Sequence, residues 1–150
     1  MTKAQLNYYD ATSSEKEIID EEVAFPEGKL IVSRTDVKGI ITHCNQAFVN
    51  MSGYSEGDLI GQPHHILRHP DMPRAAFKDL WSTIRQNKKW YGYVKNLRKD
   101  GRFYWVYAGV VPNVRDGNLI GFASVRRKPS RAKVNHHIQL YKEMLAVEKG

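Results

Sequence analysis

WYGYVKNLRKDGRFYWVYAGVVPNVRDGNLIGFASVRR, residues 90–127, holds three apolar and β-branched runs parted by two Asp-Gly pairs, Asp100-Gly101 and Asp116-Gly117. Asp-Gly accepts the positive backbone angles of tight hairpin turns, so the stretch predicts three consecutive antiparallel strands. Upstream, LIVSRTDVKGIITHCN (30–45) gives two shorter apolar runs about Gly39, a further strand hairpin. Between these sheet segments the period changes. In NQAFVNMSGYSEGDLIGQP (45–63), Phe48 and Met51 sit three apart and Gly53 offers a left-handed helix end. Ser55 with Asp58 starts another helical turn that Gly61 and Pro63 close. Ala76, Phe77, Leu80, Trp81 and Ile84 then recur at three and four, predicting a helix over 73–87 with one buried stripe. Two strands, short helices, one longer helix and three strands make an α+β plan, with helices covering one side of an antiparallel sheet.

The ends read differently. Ser14 to Glu17 (SEKE) fits a capping box, with Ile18, Ile19 and Val23 following at helical spacing, so a short amphipathic helix is expected within an N-terminal cap, residues 1–29. Residues 30–128 form the central domain, and 129–150 a basic linker and C-terminal helix. In that helix Val134, Ile138, Tyr141 and Leu145 make a short coiled-coil-like seam. The seam predicts either a homodimer contact or packing on its own domain.

Composition bounds the function. A chain of 150 residues with 41% hydrophobic content makes one domain with modest extensions. The single cysteine, Cys44, forms no internal disulfide, which points to a reducing compartment. No stretch approaches the roughly 18 apolar residues of a membrane span, and the start carries no apolar signal core. The expectation is a cytoplasmic domain without membrane insertion. The net charge of +7 divides into −4 over residues 1–29, from three lysines and seven acids, and +11 over the rest. Much of the surplus lies in RRKPSRAK (126–133), read as a solvated connector rather than a nucleic-acid surface. There is no nucleophile motif, phosphate-binding glycine fingerprint or repeated metal-ligand spacing, so a binding module is expected rather than an enzyme.

The words ITHCNQAFVNMSGY, GQPHHILRHPDMPRAAFKDLW, WYGYVKNLRKDGRFYWVYAGVVP and VRDGNLIGF resemble the FAD-binding PAS domain of bacterial aerotaxis receptors over about residues 30–127. The resemblance implies a five-stranded antiparallel sheet flanked by short helices. It also implies non-covalent FAD whose redox state controls a chemotaxis kinase. Such receptors continue into a membrane anchor, a signal-relay segment and a kinase-control region, which would be the partners of this chain.

A flavin needs a flat apolar slot, donors and acceptors along its pyrimidine edge, and positive groups for its pyrophosphate. Asn96 offers an amide matched to an imide edge. Arg68 and His69 stand before the long helix, Arg68 to grip a phosphate or charge the ring surroundings, His69 to bond the cofactor or gain a proton. Asp71 suits a helix N-cap that anchors them. Trp90 and Trp81 are candidates for ring stacking, and Asn45 is either a polar contact or a cap. His64 and His65 admit a rival reading, a haem gas sensor with one axial histidine, and a ligand-free interaction module is a third. Cys44, at a strand end, is misplaced for photochemical adduct formation.

Overall fold

The computed structural model describes residues 2–7 and 13–149. The three strands foreseen over 90–127 are β5 (Trp90–Leu97), β6 (Phe103–Arg115) and β7 (Asn118–Arg127), joined at Gly101 and at Asp116-Gly117, all with positive φ. With β3 (Ile31–Thr35) and β4 (Ile41–Cys44) they form an antiparallel sheet in the order β4-β3-β7-β6-β5. One face of this sheet carries α1 (Gln46–Ser52), α2 (Glu56–Leu59), a 3-10 turn (His64–Leu67) and α3 (Arg74–Ile84). Gly53 ends α1 at φ 77°, and the Ser55 hydroxyl caps α2, as the sequence indicates.

Alternation along β5 and β6 sorts their side chains. Val94 and Val106 pair across the register on the helix-covered face, whereas Lys95 and Trp105 pair on the other. That second face is covered in part by α4 (Arg131–Lys149). Tyr141 stacks on Trp105 with ring centroids 6.2 Å apart, and its hydroxyl donates to the Tyr93 carbonyl at 2.6 Å. At the far end of α4 the Glu148 carboxylate accepts from Arg74 N and Ala75 N, both at 3.0 Å. The seam therefore packs on its own domain through Val134 and Tyr141, while Ile138 is 47% exposed.

The N-terminal expectation is corrected. Ser13–Ile18 is a strand, β2, paired antiparallel with β1 (Thr2–Asn7) from Thr2↔Ile18 to Asn7↔Ser13. One isolated helical turn gains few hydrogen bonds for the backbone it fixes, whereas the hairpin aligns six residue pairs whose alternate members bond across the strands. Ile18, at the end of β2, packs on Leu97.

Candidate functional site

A cavity of about 320 Å³ opens between α3, the 3-10 turn and the helix-covered face of the sheet. Its apolar wall includes Phe77, Leu80, Ile84, Val94, Ala108 and Val110. Apolar pockets of this size hold small ring systems, with a few placed polar groups fixing orientation. The charged groups here are of one sign: Lys38, Arg68, Arg85 and Arg126 line the cavity, with no carboxylate among the lining residues.

Arg126 is 3% exposed. Strand β7 alternates Phe122, Ser124 and Arg126 into the cavity, so the RRKPSRAK run is not all solvated connector. Its Nη2 donates to Ser33 Oγ at 3.0 Å and to His64 Nε2, and the guanidinium lies 4.9 Å from the Phe48 ring centroid. Its Nη1 is buried with no hydrogen-bond partner among the described residues. Burial pulls this guanidinium down to about 10, so it remains a cation at neutral pH. Accepting from Arg126 fixes His64 as a neutral ring. Burial first, then the charge of Arg126, lowers His64 to about 3.

Asn96 and Tyr104 pair across β5 and β6, and both are buried. Burial pushes the Tyr104 phenol up to about 12, with Arg126 and Asn96 opposing. Trp90 is held by its indole N–H, which donates to Asp79 Oδ2 at 2.9 Å. Its ring lies over Gly92, where an added Cβ would stand 2.3 Å from Trp90 Cη2. Trp81 sits over Gly39 in the same way, with a built Cβ at 2.7 Å.

Of the seven residues singled out from sequence, Arg68, Trp81, Trp90 and Asn96 stand on the cavity wall. The other three do not. The backbone of Arg68 bridges Asn96, which hangs RHPDMP on the β5 edge, and Arg68 lies over Phe77 at 4.8 Å. The side chains of Arg68 and His69 go to opposite sides of that edge. His69 meets Phe103 edge-on at 5.9 Å, accepts from Asp71 N at 3.0 Å, and is lowered to about 4 by burial and by Lys95, against Asp71. Asp71 caps no helix, because Pro73 precedes α3 without a side-chain cap and Glu148 takes the free N–H groups. Instead it pairs with Lys95 Nζ at 2.7 Å. Burial raises its carboxyl, and the Lys95 hydrogen bond and charge, with His69 and Lys149, bring it below the usual carboxylate range.

Asn45 is a cap. Its Oδ1 accepts from Phe48 N and Val32 N, both at 3.1 Å, and its amide donates to the Leu30 carbonyl at 2.9 Å. Asn45→Ala is expected to cost about 1 to 2 kcal/mol of folding stability, read as a lowered urea midpoint. Cys44 lies outside the cavity lining.

Residues 41–126 match the family model described as PAS fold. The chain belongs to the PAS-fold family. Among PAS relatives, the Aerotaxis receptor of Escherichia coli (strain K12) is 41% identical over 134 residues, 89% of this chain and 26% of that protein. The Nitrogen fixation regulatory protein of Klebsiella pneumoniae is 27% identical over 79% of this chain and 25% of its own length. The chain thus spans about a quarter of these relatives. A PAS domain from Colwellia psychrerythraea superposes with TM-score 0.61 at 26% identity, over 68% of this chain and 87% of that one. The dark structure of the blue-light photoreceptor Aureochrome1 LOV gives 0.62 at 19%, over 79% and 85%, a likeness of fold.

Proposed function

We propose that this PAS domain is a redox-sensory module that holds FAD without a covalent bond and passes its redox state to a chemotaxis-type output. One observation carries the reading: a buried guanidinium whose Nη1 has no partner among the described residues lines a largely apolar cavity that has no carboxylate on its wall. A buried cation is costly unless something answers it, and an electron-rich ring edge does. The similarity to an aerotaxis receptor supports the choice of flavin.

In this role Asn96 offers a donor and an acceptor side by side to the imide edge. Arg126 and Arg68 supply positive charge, and the pinned Trp90 indole gives a flat wall. Val94, Ala108, Val110, Leu80 and Ile84 exclude water. When bound, the flavin supplies reversible electron uptake with a change of charge and protonation. Strand β5 then links inside to outside, since Asn96 faces the cavity while the Tyr93 carbonyl holds Tyr141 of α4. Coupling of this kind is worth about 1 to 3 kcal/mol. The relay and kinase-control regions of a receptor would read the position of α4.

Purified protein reconstituted with FAD should show flavin absorption bands, and Asn96→Ala should weaken FAD about tenfold. Unchanged affinity would remove Asn96 from the ring edge. A Soret band instead would favour the haem reading, against which stands the engagement of His64 Nε2 by Arg126. Protein that takes up neither would be a ligand-free module.

A further inference from the structure

Within the flavin reading just given, the position of the cavity mouth decides which residues meet the rest of the dinucleotide. Arg68, for which the sequence offers either a phosphate grip or a fixed charge beside the ring, is 6% exposed and stacks on Phe77, so it stands at the ring end. A cavity of about 320 Å³ takes a tricyclic ring and leaves a dinucleotide tail outside. Of all the residues that line it, only Lys38 and Arg85 are exposed. They mark the opening.

These two cations come from different elements and flank one indole. Lys38 lies in the β3–β4 turn, which Asp36 Oδ1 stiffens by accepting from Lys38 N at 2.8 Å and Ile40 N at 3.0 Å. The next residue, Gly39, packs directly under Trp81, and any side chain there would strike the ring. From the C-cap of α3 the Arg85 guanidinium lies 5.2 Å from the Trp81 centroid. Neither Lys38 nor Arg85 forms an ion pair with a carboxylate among the described residues. Two unpaired cations at the exit of a cavity suit an anionic group that leaves it, and a pyrophosphate is the anionic part of FAD.

We infer that Lys38 and Arg85 form the phosphate-binding rim of this domain and, with Trp81, select FAD over a flavin lacking phosphate. The contribution is electrostatic and solvent-exposed, so it is modest and weakens with salt.

The test titrates the 150-residue chain, freed of cofactor, with FAD and with riboflavin, by flavin fluorescence at low and high salt. The double variant Lys38→Ala/Arg85→Ala should raise the Kd for FAD about tenfold at low salt and leave riboflavin binding unchanged. The wild-type preference for FAD should shrink as salt is raised. Equal loss for both flavins, or no loss for either, would overturn the rim while leaving the flavin cavity intact. A wild-type chain that binds neither flavin would overturn the underlying reading, and the rim with it. Circular dichroism of the variant separates lost binding from lost fold, and a folded Lys38→Arg/Arg85→Lys chain should recover FAD binding.

Discussion

Acidifying the flavin-free domain from pH 7 to pH 5 should remove about 2 to 4 kcal/mol of folding stability, read as a falling urea midpoint. Two histidines carry the effect. His64 is held to about 3, by burial and by Arg126, and His69 to about 4, by burial and by Lys95. Unfolded, each ring takes a proton near its ordinary value of about 6.5. Below that pH the unfolded chain binds protons that the folded chain refuses, so unfolding becomes easier as pH falls. Above it neither state is charged and the stability is fully present. The loss therefore runs from about pH 6.5 downward and levels off near pH 3 to 4, where the folded rings protonate too. Asp71, already below the ordinary carboxylate range, adds its own loss only below about pH 4. His64→Gln and His69→Asn should each flatten the pH 7 to 5 slope by about half. A midpoint constant between pH 7 and pH 5 would show that neither imidazole is held neutral by its surroundings.

The features that make this prediction were unevenly legible in the sequence. Strands β5 to β7 announce themselves because Asp-Gly turns and β-branched runs are local signals, and local backbone chemistry decided the outcome. The α1 end at Gly53 and the α2 cap at Ser55 were legible for the same reason. His69 was not. Its proximity to Arg68 in sequence says nothing about side, and along extended backbone at the β5 edge adjacent side chains point to opposite faces. Arg126 was hidden by its neighbours, since RRK followed by PSRAK reads as a charged connector. The signal that would have found it is the period-two extension of Phe122 and Ser124 into Arg126. SEKE failed for a different reason: a capping box is a local signal, and pairing with the distant β1 segment overrode it.

Arg126→Met should weaken FAD binding about 10- to 100-fold while leaving the flavin-free stability within about 1 kcal/mol of wild type. The two halves follow from the same geometry. Removing one member of a buried ion pair usually costs about 3 to 5 kcal/mol, because the other charge is stranded. Arg126 strands no charge: its partners are the Ser33 hydroxyl and the neutral His64 ring. The variant loses those bonds, and it also relieves the burial of a guanidinium whose Nη1 is unanswered. The bound state has no such compensation, since the cation that faces the ring edge is gone. Fluorescence titration with FAD and urea denaturation of the flavin-free protein measure the two halves separately. A third readout ties them to the acid response. Loss of the Arg126 charge lets His64 rise toward its ordinary value, so the stability of Arg126→Met should fall less steeply between pH 7 and pH 5 than that of wild type. A large loss of flavin-free stability with FAD affinity unchanged would make Arg126 a structural cation, and the cavity would need another reason for its charge.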